Sequence, residues 1–170
     1  MNIREKYNIK ETSSSFSFEP AKPRKKISQW FFYGTVVIAI ALPLFARILN
    51  QVWYHSLFVL SAYGILHSLY DIYVRAGIRY TFDRQNNSIY RMVPFFSNKK
   101  IMKLNEAVIF VSSEMGSWHY SLGAKKSQFI KSYFISENFS SGKKSDEKQA
   151  QYENHILAVI YNMIDSVQSV

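Results

Sequence analysis

The chain has 170 residues, a net charge of +9 and no cysteine, and its mean hydropathy is only −0.13 although 16% of its residues are aromatic. Without cysteine it has neither disulfides nor thiolate metal sites, which excludes a disulfide scaffold. Its length limits it to one membrane unit and one modest soluble domain. The mean hydropathy averages polar flanks with two long apolar runs, so it hides the membrane segment.

The leader, residues 1–28, is polar and serine-rich at 13–15, holds Pro20 and Pro23, and ends in the basic cluster Arg24, Lys25 and Lys26. That composition predicts a mobile tail. Within it Phe16, Ser17 and Phe18 alternate apolar and polar, which offers one strand to the soluble domain or to a partner.

Residues 29–74 form the membrane unit, with apolar runs at 30–49 and 52–73. Each run is long enough for a helix to cross a hydrocarbon core of about 30 Å at 1.5 Å per residue. The link at 47–51 leaves no room for an external domain. The first run is too long, and its basic leader too extended, for a cleaved signal peptide. Lysines and arginines flank the hairpin on its two outer sides, whereas the link carries only Arg47. The charge rule therefore predicts a multi-pass inner-membrane protein with both termini cytoplasmic. Trp30 and Tyr33, then Trp53 and Tyr54, then Tyr70 and Tyr73 mark successive interfaces.

Small residues set the expected packing of the hairpin: Ser61, Gly64 and Ser68 on one face of the second helix, and Gly34 with Ala39, Ala41 and Ala46 on the first. Pro43 predicts a kink in the outer half of the first helix. The small-residue face serves either packing within the hairpin or docking on another membrane protein. His67, Asp71 and Arg75 are spaced four apart. The plainer expectation is an Asp71 and Arg75 pair at the interface, with His67 hydrogen-bonded inside the hairpin. A proton relay would need more intramembrane carboxylates than this hairpin carries. Arg24, Lys25, Lys26, Arg75 and Arg79 flank the inner leaflet, where each gains about 1 kcal/mol from anionic headgroups.

From residue 77 the pattern changes to alternation, with Ile78, Tyr80 and Phe82 on one side and a polar turn at 83–87. Further strands are expected at 89–93, 99–104, 107–112, 118–122 and 128–136, with turns at 114–117 and 123–126, making six strands in a curled antiparallel sheet. A loop at 137–144 precedes a helix at 145–168, with Ser145 as its N-cap. The stripe Ile156, Leu157, Ile160, Met163, Ile164 and Val167 should close the open side of the sheet. The fold class is thus a membrane α-helical hairpin plus an α+β soluble domain, residues 75–170.

Catalytic signatures are missing. His55, His119 and His155 have no metal-site spacing, no Gly-x-Ser-x-Gly elbow occurs, and the phosphate-loop-like segment at 123–127 lacks its upstream glycine and reads as a turn. No catalytic residue, cofactor or metal is expected. Trp118, Tyr120 and Phe134 fit a packed sheet as well as a nucleic-acid surface, so nucleic acid is not an expected partner. Lys99, Lys100 and Lys103, or Lys125, Lys126 and Lys131, are candidate rims for a lipid-reading site. The expected contacts are anionic lipid headgroups and a protein partner or second copy.

The hairpin, the segment Tyr80-Thr81-Phe82-Asp83-Arg84 turning into Ile89-Tyr90-Arg91, the segment Lys100-Ile101-Met102-Lys103-Leu104-Asn105-Glu106-Ala107-Val108 and the final helix together resemble small bacterial membrane proteins with a pleckstrin-homology-like domain. The resemblance covers residues 30–170 and implies an antiparallel sheet of two packed halves capped by the C-terminal helix. Members of that family mostly lack a known activity; the hairpin, the alternating segment and the missing catalytic signatures of this chain lead to the expectation of a docking or regulatory module, not an enzyme. This chain departs from the usual seven strands, and the segment at Phe16 is the one available to supply another. The alternative is a small accessory or immunity-type factor acting through its hairpin.

Overall fold

The computed structural model describes residues 2–124 and 132–168. The leader is ordered, which corrects the expectation of a mobile tail. Helix α1, Ile3–Lys6, is capped by the Asn2 side chain, which accepts from Arg4 N at 3.1 Å. Strands β1, Lys10–Glu11, and β2, Ser15–Phe18, follow. Tyr7, Phe16 and Phe18 are buried, so burial of three large aromatics offsets the entropy of ordering a polar segment.

A 3-10 turn, Lys22–Arg24, opens helix α2, Lys25–Ala41, which starts five residues before the apolar run. Pro43 does not kink this helix internally. It sits at the start of a 3-10 turn, Leu42–Phe45, where its missing N–H costs least, and the α-helix ends at Ala41. Helix α3, Gln51–Tyr73, is capped by the Asn50 side chain, which accepts from Val52 N at 3.0 Å. The helical stretches Lys22–Phe45 and Gln51–Gly77 are both long and apolar enough to cross a membrane.

Outside the helical hairpin the described residues form two antiparallel sheets. In the first, β1 and β2 pair in order with β3, Arg79–Asp83, β4, Ser88–Met92, and β5, Asn98–Met102. The β2 to β3 ladder runs from Ser15 opposite Asp83 to Phe18 opposite Tyr80, and the whole hairpin lies between these two neighbouring strands. In the second sheet the central strand is β7, Ser117–Ala124. It pairs on one side with β6, Ala107–Glu114, and on the other with β8, Tyr133–Phe134, and β9, Phe139–Ser140. Met115 and Gly116, both at positive φ, make the tight turn between β6 and β7.

Of the expected strand at 128–136, residues 128–131 lie outside the described residues, as do Lys125, Lys126 and Lys131, and among its described residues Tyr133–Phe134 is a strand. Gly123 and Ala124, expected in a turn, extend β7. The loop at 137–144 contains β9.

The C-terminal helix begins as α4, Lys143–Tyr152, widens into a π turn, Glu153–Leu157, and continues as α5, Ala158–Gln168. Ser145 is not its N-cap. That place belongs to Gly142 at φ +128, a conformation that suits glycine, while Ser145 Oγ accepts from Ser140 N at 2.9 Å. Ile156, Leu157, Ile160, Met163 and Ile164 are buried against Phe82, Ile89, Leu104, Leu122 and Ile135, one core shared by both sheets and the helix.

Candidate functional site

Strand β2 leads through the Lys22–Arg24 turn into α2, and α3 returns through the Arg75–Gly77 turn into β3. Because β2 and β3 are neighbours in the sheet, the two ends of the helical hairpin emerge side by side. Glu19 fastens this exit. Its Oε1 accepts from Arg79 Nη2 at 2.6 Å, from Arg79 Nε at 3.2 Å and from Asn8 Nδ2 at 2.7 Å. A second clamp holds α1: Glu137 Oε1 accepts from Lys6 Nζ at 2.5 Å and from the Tyr7 hydroxyl. Burial pushes the Glu137 carboxyl up, but the Lys6 and Tyr7 hydrogen bonds outweigh it and hold the group below its ordinary range.

Beside the exit lies a basic, aromatic-lined niche. A cavity of about 300 Å³ is lined by Arg75, Arg91, Tyr70, Tyr80, Tyr133 and Phe134 among others. A smaller one, about 130 Å³, adjoins it and shares Pro20, Ala21, Arg75 and Phe134; Arg24 and Glu114 line it as well. Arg91 Nε is buried and finds no hydrogen-bond acceptor among the described residues. Arg75 is shared with Asp71, whose Oδ1 lies 3.6 Å from Nη1. Burial raises the Tyr80 hydroxyl, with nearby Arg91 working the other way, so Tyr80 stays neutral. Three guanidiniums against two carboxylates make a niche suited to an anion, with aromatic walls for an apolar stem.

Of the basic residues expected at this level, Arg24 and Arg75 line the niche, Lys25 and Lys26 are exposed at the start of α2, and Arg79 is committed to Glu19. Arg91 takes the place expected of Arg79. The signal for it is the ladder itself, in which Arg91 stands opposite Tyr80 one step from the Arg79 and Met92 pair.

Within the hairpin, Ser61, Gly64 and Ser68 are buried against α2. A Cβ on Gly64 would lie 2.9 Å from Thr35 Cγ2, whereas a Cβ on Gly34 would meet nothing within 4 Å. Gly34 is therefore not a packing residue, and Thr35 occupies the contact instead. Each buried hydroxyl is satisfied by its own helix: Thr35 donates to Phe31 O at 2.7 Å, Ser61 to Leu57 O at 2.8 Å and Ser68 to Gly64 O at 2.7 Å. His67 Nδ1 lies 3.9 Å from Asp71 Oδ2, and its ring stands against Tyr63 with centroids 5.9 Å apart. An open groove of about 630 Å³ runs along this face, mostly apolar, with His67, Ser68 and Asp71 among its polar lining.

The other histidines are apart from one another. His119 is buried against Phe134, centroids 4.3 Å apart, and burial lowers its pKa. His55 and His155 contact the carbonyls four residues earlier in their own helices. Among the described residues no group of three metal-ligating side chains occurs. No family model matches the chain, and no curated protein or solved structure is significantly similar to it.

Proposed function

We propose that this chain is a non-enzymatic integral membrane protein in which a pleckstrin-homology-like domain is held at the cytoplasmic surface of the inner membrane as a docking or regulatory module. The observation that carries the reading is the direct run of the adjacent strands β2 and β3 into α2 and α3. A sheet joined to a hairpin through two short turns, clamped by Glu19 and Arg79, has a fixed orientation relative to the bilayer. Only 11% and 17% of the two apolar stretches is covered by protein, which suits lipid-facing helices better than core helices of a soluble fold. The niche of Arg24, Arg75 and Arg91 at the same level takes an anionic lipid headgroup in this reading, and the outer faces of the sheets take a protein.

The alternative, a factor acting through its hairpin, draws on the apolar groove between α2 and α3. Photocrosslinking from native membranes separates the two, with the reactive group at exposed Val111 on β6 or at exposed Leu66 on α3. A protein captured from Val111 and not from Leu66 supports the docking module. Capture from Leu66 alone assigns the activity to the hairpin.

A further inference from the structure

The topology that joins β2 and β3 to the helices also determines which loop faces the same way. Strand β3 leaves the hairpin at Arg79, and its partner β4 returns to that level at Met92, opposite Arg79. Strand β5 departs again from Asn98, opposite Met92. The turn between β4 and β5, residues 93–97, is therefore on the hairpin side of the sheet. Contact agrees with register: a Cβ on Gly77, the last residue of the second apolar stretch, would lie 2.6 Å from Pro94 Cγ.

This turn presents Phe95 and Phe96 to the outside at 83% and 71% exposure, with Met92 also exposed. Phe95 sits at φ +65, a region that bulky side chains rarely adopt, and Phe96 N donates to Val93 O at 3.0 Å, which fixes the turn. Exposed Lys99 and Lys100 follow at once on β5. Two outward phenylalanines beside lysines, level with a helix end, have the composition of an interfacial anchor.

We propose that the Phe95 and Phe96 turn dips into the interfacial layer of the bilayer that the hairpin crosses, a third attachment that holds the sheet down at the edge away from β2. The occupant is the lipid itself, because the patch is continuous with the hairpin through Pro94 and Gly77 and because the flanking lysines match anionic headgroups. The inference rests on the membrane reading above.

With no native cysteine, single-cysteine nitroxide labels test it on the full chain in vesicles of mixed phosphatidylcholine and phosphatidylglycerol. The labels are placed at Ser97, the last residue of the turn, at Leu60 in α3 and at Asn86 at the far end of the sheet. The expected result is that the Ser97 label collides severalfold less with a water-soluble nickel chelate, and more with oxygen, than the Asn86 label does. It should lose that difference in the F95S/F96S chain while the Leu60 label stays lipid-embedded. A Ser97 label as open to nickel as Asn86, with Leu60 in lipid, overturns the proposal and leaves the membrane reading standing. A Ser97 label shielded from both reagents means that protein covers the turn, which also overturns it. A Leu60 label open to nickel overturns both readings.

Discussion

Glu19 and Arg79 are 60 residues apart in sequence and 2.6 Å apart in space, on the segments through which the chain enters and leaves its helical hairpin. Their side chains are 12% and 17% exposed, so each charge is largely removed from water and depends on the other. The pair joins the end of β2, just before the turn into α2, to the beginning of β3 and makes hairpin and sheet one mechanical unit.

Removing one partner strands the other. Arg79→Ala leaves the Glu19 carboxylate with Asn8 alone and should cost roughly 2–4 kcal/mol, somewhat less than breaking a fully buried pair. Glu19→Gln keeps the shape and part of the hydrogen bonding, so its loss should be smaller. Thermal unfolding of the full chain in detergent micelles ranks the two, and equal losses would mean that the charge contributes little.

The second clamp predicts acid sensitivity. The folded-state pKa of Glu137 lies below its ordinary value of 4.5, so its stabilising contribution is complete above that value and is lost as pH falls through the folded pKa. Stability measured against pH should decline below about 4.5 more steeply in the natural chain than in Glu137→Gln. Lys6→Met, which removes the ammonium donor, should bring the folded-state pKa back toward the ordinary value and so make the acid decline shallower, starting from a less stable chain at neutral pH.

On the alkaline side the sign reverses. Burial and the Glu153 hydrogen bond push the Tyr120 hydroxyl up to about 12 from 10, and burial raises Tyr7 and Tyr152 as well. Groups with raised folded-state pKa values stabilise fully below the unfolded value and lose that contribution as pH rises through the folded one. Ultraviolet titration should therefore show a class of tyrosines ionising well above 10, reduced by one in Tyr120→Phe. That substitution also removes a partner of Gln149 and Glu153 on α4 and the π turn, at a cost of about 1 kcal/mol.

What the sequence disclosed depends on how local the signal is. The terminal stripe from Ile156 to Ile164 and the alternation of Tyr80 with Phe82 are periodicities within one element, and both sets are buried. The β2 to β3 pairing is not local, since Ser15 meets Asp83 only after the chain has passed through the hairpin, and its serine-rich surroundings read as a tail. Gly34 illustrates a second limit. Helix α2 is apolar on nearly all sides, so hydropathy does not specify its rotation, and the face toward α3 carries Thr35, one residue and about 100° away. The niche shared by Arg24, Arg75 and Arg91 depends on three separate elements and so has no pattern within any one of them.

If that niche holds a lipid headgroup, its arginines act as a group. Neutralising Arg24, Arg75 or Arg91 to Gln should each reduce the preference for phosphatidylglycerol over phosphatidylcholine about fivefold, as read by native mass spectrometry of co-purified lipid. Lys25→Gln and Lys26→Gln, on the exposed first turn of α2, should change the preference less. Equal effects at all five positions would mean a diffuse surface potential and no defined site.

The contact between Gly64 and Thr35 separates packing inside the hairpin from docking outside it. Gly64→Leu drives a branched side chain into a gap where even a Cβ lies 2.9 Å from Thr35 Cγ2, and Thr35 is held by its hydrogen bond to Phe31 O. The helices must then separate, at about 3 kcal/mol, the upper end of the overpacking range. Gly34→Leu meets open space and should leave the hairpin as stable as before, with a small gain from replacing a helical glycine. Protease resistance of the 46–50 link in micelles reads the difference, since splayed helices expose it. Rescue of Gly64→Leu by Thr35→Gly would place the damage at this one contact. Loss of a captured partner in Gly34→Leu, with the hairpin intact, would instead assign the open face of α2 to an interaction.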